Sequence, residues 1–389
     1  MNIVGFFISQ RSIMATIEEN NNEEAACKRM VRGLDDLDKL ILQKKKEVTE
    51  DKPIRAAVFG HAFPDPDCIG SQMGIAWLLL KKYNIEVDCF YHGEISHPQN
   101  SAMSNLLDPN LIKAEEYKAE KYALNFLVDT VPSNAGTGGK EVRWDVVIDH
   151  HKDNSINGCK ALFIHMKTGS CAAIVYHIME SLLQDNWDNW LDEDNDYDCR
   201  VATALIVGVV TDTEYMMSDD STELEFDAFK NLFPFRSAKH LRDIVFFKRP
   251  KSWIEMSALA CREAEIDGEG YAIVGLGLIP EKQRDIVAAV ADEMLTWASV
   301  ESAIAFAVVG CDKLVGSVRS ANASLSVSEL CKKLGGKHGS GGGKHGKGAY
   351  TFSLGGMAID PDDNEELNLK TWDAIKSKEQ ARIDRLIKS

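Results

Sequence analysis

Short apolar runs alternate with amphipathic stretches along most of this chain. Ile54–Phe59, bounded by Pro53 and Gly60, has the length and continuity of a strand buried on both faces. Glu86–Tyr91, Leu124–Val128 and Asp145–Ile148 repeat that form. Between and after them, Ile69–Lys82 sets Ile75, Leu78 and Leu79 at helical spacing, and Ala172–Leu183 and Val201–Val210 read as further helices. Strands alternating with helices predict the α/β class, with an open, mostly parallel sheet. Ligands of such sheets gather at the carboxyl ends of the strands.

The same reading divides the chain. Residues 1–50 form an extension outside the catalytic unit, where Leu34, Leu37, Leu40, Ile41 and Leu42 predict an amphipathic helix lying on the domain or on a partner. Residues 51–235 make the first domain, and 236–252, basic and apolar around Pro250, a linker. A smaller α/β domain over 253–364 follows. Its strands are Tyr271–Leu278, Ala303–Val309, Leu314–Arg319 and Ala349–Leu354, and its helices Asp285–Ala298 and Val327–Lys333. The glycine-rich stretch Gly335–Gly348 reads as a loop, and the charged tail 365–389 as a helix. Asp185–Asp198, rich in Asp, Asn and Trp, predicts a solvated loop; it lacks the ligand spacing and glycine of an EF-hand.

Composition narrows the function classes. The 389 residues suit two domains, and 44% hydrophobic residues suit a globular core. A formal net charge of -16 argues against a broad grip on long duplex DNA. A small anionic substrate remains open, because cations and local Lys or Arg override a global field. The nine cysteines show no Cys-x-x-Cys pairing and read as reduced thiols of a cytoplasmic protein. No run reaches the roughly 20 apolar residues of a membrane span. Met1–Ser9 lacks the basic start and cleavage site of a signal peptide, and Met14 is a second candidate start.

The chemistry concentrates in four clusters: Gly60-His61-Ala62-Phe63-Pro64-Asp65-Pro66-Asp67-Cys68-Ile69-Gly70-Ser71, Val128-Asp129-Thr130, Asp149-His150-His151, and Thr211-Asp212-Thr213. Each follows an apolar run. A single His61 or Asp129 would be an ordinary surface or capping residue, and Asp212 alone could cap a turn. Carboxylates and imidazoles gathered at the ends of buried elements are what a two-cation phosphoryl-transfer site needs. Carboxylates with a few imidazoles suit Mn²⁺, Mg²⁺, Co²⁺ or Zn²⁺ better than a thiolate set would. Asp65 and Asp67, two apart in a proline-stiffened loop, can aim at neighbouring cations, with one carboxylate from the next strand end bridging both.

In order, residue type and spacing these clusters resemble the DHH phosphoesterase family, named for the triplet found here at 149–151. The resemblance implies that His61 and Asp65 hold one cation, and Asp67, His150 and Asp212 the other. Asp129 would bridge them, His151 would face the scissile phosphate, and Asp149 would orient the histidines. Gly70 and Ser71 match the turn that opens the following helix. Two divalent cations are implied, with Mn²⁺ the expected one. His92, His97, His165 and His177 match no family motif.

Downstream, Arg319-Ser320 followed by Gly341-Gly342-Gly343-Lys344-His345 resembles the DHHA1 substrate-binding domain. That resemblance implies that Arg319, Ser320, Gly342, Gly343 and His345 contact substrate. Lys344 stands where the family usually has glycine, and Lys337-His338 offers a competing histidine. His345 is preferred because Gly348, Ala349 and Tyr350 follow at the expected interval.

The two-domain enzymes of this kind hydrolyse short single-stranded oligoribonucleotides, linear dinucleotides or 3'-phosphoadenosine 5'-phosphate. A small nucleotide or short oligonucleotide is therefore the expected partner, with no duplex DNA and no membrane. The length leaves no room for the OB-type domain of the longer exonucleases. An inorganic pyrophosphatase or polyphosphatase is the alternative, although its Arg-Lys-Lys run is not found. A non-catalytic nucleotide sensor would be expected to lack ligands, yet every position is filled. Base preference and strand polarity are not written in these motifs. Nor is assembly, a homodimer being one option.

Overall fold

A computed structural model describes residues 21–47, 54–151, 159–183, 190–344, 346–360 and 364–387. The chain divides into two units, one on residues up to 247 and one on 248–389, with 96–98 grouped with the second. None of the helices among the described residues is long and apolar enough to cross a membrane.

The first unit opens with helix α1 (Asn21–Glu47), whose Leu34, Leu37 and Ile41 are buried in the unit's main core. It thus lies on the domain itself. Strand β1 (Arg55–Phe59) leads into α2 (Pro66–Tyr83), and β2 (Glu86–Tyr91) into α3 (Pro98–Leu107). Then come β3 (Leu111–Lys113), β4 (Leu124–Val128), β5 (Val146–Asp149) and β6 (Leu162–His165). Helices α4 (Cys171–Leu183), α5 (Asp196–Asp212), α6 (Glu223–Leu232) and α7 (Ala238–Val245) complete the unit. The segment 236–252, expected as a linker, is therefore largely helical, and α7 buries Ile244 in the first core.

The six strands pair in parallel in the order β3-β2-β1-β4-β5-β6. Alternation along β1 sends Ala56 and Val58 to a core shared with the helices, and Ala57 and Phe59 to the opposite face. There Phe59 stacks on Phe90 at 4.8 Å, with Tyr117 and Trp144 edge-on. β3 and β6 escape the sequence reading because they are edge strands of three and four residues, too short for a periodic signal. Asp198 departs from the solvated loop expected over 185–198. It is wholly buried in the first turn of α5, bonded to Trp77 Nε1 at 2.8 Å and paired with Lys81. Residues 185–189 of that stretch lie outside the described residues.

The second unit contains α8 (Lys251–Glu263), β7 (Glu265–Ile266), β8 (Tyr271–Ile279), α9 (Ile286–Met294), β9 (Ser302–Val309) and β10 (Lys313–Ser320). It continues with α10 (Val327–Gly335), β11 (Gly339–Lys344), β12 (Lys347–Ser353) and α11 (Glu365–Ile387). Its sheet runs β11-β12-β10-β9-β8-β7 and is antiparallel except between β8 and β9. α11 is no appendage: Trp372, Ile375 and Ile383 are buried in this unit's core. Within the glycine-rich stretch, Gly339–Lys344 is not a loop either but an edge strand. A Cβ at Gly341 would stand 2.0 Å from the Cys331 carbonyl oxygen of α10, so only glycine lets this strand lie so close to the helix.

Candidate metal centre

The first sheet's strand order reverses direction between β1 and β4, and ligands of doubly wound sheets collect at such a point. His61 follows β1 by two residues and Asp129 follows β4 directly. Asp149 ends β5, with His150 and His151 next in sequence. Asp65 and Asp67 begin α2, and Asp212 ends α5.

Asp129 is the centre of this arrangement. Its Oδ2 lies 3.4 Å from His61 Nε2 and its Oδ1 3.4 Å from His150 Nε2. The backbone there is left-handed, with φ of 57°, a conformation Asp adopts more readily than most residues. Its N–H still donates to the Ile148 carbonyl at 2.9 Å, so the strand ladder holds the residue while the chain turns away.

The two imidazoles are oriented alike. His61 Nδ1 donates to the Ala62 carbonyl at 2.9 Å and His150 Nδ1 to the Thr168 carbonyl at 3.1 Å. A carbonyl only accepts, so each ring carries its proton on Nδ1 and turns Nε2 to the carboxylates. His150 Nε2 is also 3.3 Å from Asp212 Oδ2 and 4.0 Å from Asp67 Oδ2. Asp67, 1% exposed, accepts from the Cys171 and Ala172 N–H groups at the start of α4, at 2.7 and 2.8 Å. Asp65 lies 3.6 Å from His61 Nε2 and caps α2, accepting from the Cys68 N–H at 2.9 Å. His151, more exposed than His150, is held through Nδ1 by the buried Asp149 at 2.7 Å. Gly70 and Ser71 are buried in α2.

Electrostatics follow from crowding acids in a dry place. Burial, with Asp129 and Asp212 nearby, pushes the Asp67 carboxyl well above its ordinary value. Burial works against charge at Asp129 too, but the His150 and His61 imidazoles hold its carboxyl below the usual range. Burial likewise opposes the charged form of His150, yet Asp129 raises it to about 10. Asp129 Oδ1 and His150 Nε2 are buried without a hydrogen bond. Buried polar atoms of that kind call for a partner, and an oxygen–imidazole donor set suits a divalent cation. The groups Asp67–His150–Asp212, Asp129–His150–His151 and His61–Cys68–Asp129 each keep their ligand atoms within 4.8 Å of one another. The residues present therefore fit two cations sharing Asp129.

Residues 55–209 match the DHH family, N-terminal domain. This segment is a DHH family domain. The DHH domain holds the whole centre except Asp212, which stands three residues past the matched segment. The chain is 26% identical over 335 residues to an uncharacterized protein of Methanocaldococcus jannaschii, covering 86% of this chain and 65% of that protein. It thus spans just under two thirds of that relative's length. Its fold is shared with an exopolyphosphatase-related protein from Bacteroides fragilis, at a TM-score of 0.60 and 13% identity over 91% of this chain and 98% of that one.

Two residues beside the DHH triplet and motifs escaped the sequence reading. Cys68 sits in the first motif but reads as one more reduced thiol. Glu225 is wholly buried; it accepts from the Gly169 N–H at 2.9 Å and from Thr168 Oγ1. It thereby steadies the loop whose Thr168 carbonyl orients His150. The signal was present: Thr222-Glu223-Leu224-Glu225 has the capping-box pattern, and both of its bonds form.

In the second unit Arg319 is not an open fork. It is 9% exposed, its Nε and Nη2 bond Asp292 at 2.5 and 3.2 Å, and its Nη1 donates to the Val318 and Gly348 carbonyls. Its place on β10, beside α9, brings Asp292 within reach. Ser320 Oγ is 2.8 Å from Ser302 Oγ. Gly342 and Gly343 lie in β11, opposite Ala349 and Gly348. His338 is exposed in the turn before β11, and His345 lies outside the described residues.

Proposed function

We propose that this chain is a two-cation phosphoesterase acting on small nucleotides or short single-stranded oligonucleotides, linear dinucleotides and 3'-phosphoadenosine 5'-phosphate among them. One observation carries the reading: a single buried carboxylate, Asp129, lies between two imidazoles that are each oriented by a backbone carbonyl. Two divalent cations, Mn²⁺ the expected one, would lower the pKa of a water and stabilise charge developing on the phosphoryl oxygens. His61 and Asp65 would hold one, and Asp67, His150 and Asp212 the other. His151, oriented by Asp149, would meet the phosphate. A net charge of -16 supports a small substrate over a long duplex.

Hydrolysis of pyrophosphate or polyphosphate would use the same centre. The fold shared with a protein titled exopolyphosphatase-related supports keeping that reading beside the first.

A substrate panel separates them. Purified protein with Mn²⁺ is offered pyrophosphate, polyphosphate, phosphoadenosine phosphate, linear dinucleotides and RNA of increasing length. Fastest turnover on short nucleotides supports the first reading, and fastest turnover on polyphosphate or pyrophosphate supports the second. Activity that survives exhaustive chelation overturns both.

A further inference from the structure

We propose that Cys68 is a sulfur ligand of the cation held at His61 and Asp129, so that this half of the centre prefers Zn²⁺ or Co²⁺ to Mn²⁺. The inference rests on the two-cation reading above. The Cys68 sulfur, a ring nitrogen of His61 and a carboxylate oxygen of Asp129 lie within 4.8 Å of one another. Cys68 and Asp129 are buried, at 0% and 3% exposure, and Asp129 Oδ2 lies 3.4 Å from His61 Nε2. Three ligand atoms of different type thus converge, two on buried residues and the third on the half-buried His61. The group at the other half, Asp67–His150–Asp212, has oxygen and nitrogen only.

Two features place the sulfur. Cys68 stands in the first turn of α2, where its N–H is tied to Asp65 at 2.9 Å. Opposite it the end of β1 gives way to Gly60, and a Cβ there would stand 2.0 Å from the Cys68 sulfur. The chain thus forgoes a side chain at the strand end, and the sulfur occupies that space beside the ligands. The other buried thiol at the centre, Cys171, is differently engaged: its S–H points to the Ile148 carbonyl at 3.5 Å. As the sulfur–metal bond forms, the thiol proton leaves to solvent. Thiolate ligands shift a site from hard Mn²⁺ and Mg²⁺ toward Zn²⁺ and Co²⁺.

The test uses the full chain, stripped of cations and titrated with Co²⁺ under reducing, anaerobic conditions. Visible bands report imidazole and carboxylate ligation, and a near-ultraviolet charge-transfer band reports sulfur. We expect the sulfur band to saturate with a single cation. Cys68→Ser should abolish it, keep the visible bands, and lower the Zn²⁺-to-Mn²⁺ affinity ratio at least about tenfold. Cobalt binding without a sulfur band, or an equal band in Cys68→Ser, overturns the assignment but leaves the two-cation reading intact. Failure to bind cobalt at all overturns both. Cadmium-113 resonance on the unaltered protein gives an answer independent of how the variant folds. A shift in the sulfur-ligated range supports Cys68, and shifts confined to the oxygen–nitrogen range overturn it.

Discussion

At Asp129 one side chain does the work of two: each oxygen faces a different imidazole 3.4 Å away. Asp129→Asn keeps the shape and the capacity for a left-handed backbone but removes the shared charge. We expect turnover to fall by at least about a thousandfold, because disturbing a shared ligand weakens both cations at once. Elemental analysis of the purified variant should show less than the full cation content, and an unchanged content would contradict the bridging role. His150 supports a second expectation. In the cation-free protein its imidazole is raised from about 6.5 to about 10, chiefly by Asp129 working against burial. A raised folded value stabilises below the unfolded value, and that contribution is lost as pH climbs through about 10. Stability of the cation-free protein should therefore decline over pH 7–10. Cation affinity should rise over the same window, because the cation competes with that proton. Thermal melts and cation titrations at stepped pH check both signs, and a flat affinity profile would count against a protonated His150.

At the scale of elements, the starts of helices are tied by acids, Asp67 and Glu225 buried and Asp65 partly exposed. Asp67 holds the start of α4, Asp65 the start of α2, and Glu225 the start of α6 together with the loop before α4. Glu225→Ala should cost about 2–4 kcal/mol, since it removes a cap and leaves the Gly169 and Thr222 N–H groups buried without partners. It should also weaken cation binding through the Thr168 carbonyl that orients His150. Denaturant unfolding and cation titration measure the two effects separately. Lost stability with unchanged cation affinity would mean that the 168–169 loop keeps its shape without the cap.

Across the whole molecule, the candidate cation ligands lie in the first unit, and in the second Arg319 is already bonded to Asp292. For Arg319 to take a terminal phosphate, it must exchange one carboxylate partner for another anion. If it does so, Arg319→Ala should lower activity on short nucleotides about ten- to a hundredfold, the worth of a charge-assisted bidentate contact. Activity on a generic activated phosphodiester should barely change. Equal losses on both substrates, with a lower melting temperature, would instead mark the Arg319–Asp292 pair as a support of the second sheet.

Local sequence determined a good deal of this protein. Short, mainly apolar runs ending at Gly60, Asp129 and Asp149 announced the parallel strands β1, β4 and β5, because a strand buried on both faces is largely apolar along its length. The clusters of Asp and His at those ends announced the DHH family and a candidate cation centre, since such groups are costly to gather without a purpose. Other features were legible only in three dimensions. The short edge strands β3 and β6 take their order from neighbours, not from their own periodicity. Gly341 lets its strand lie against α10, where a Cβ would meet the Cys331 carbonyl, and Asp198 is buried because Trp77 and Lys81 come to it from α2. Arg319 meets Asp292, and Cys68 meets His61 and Asp129, by packing that no spacing rule encodes. Composition and order along the chain select which groups are available. Which of them share a proton, a cation or a countercharge depends on distances set by the folded sheet.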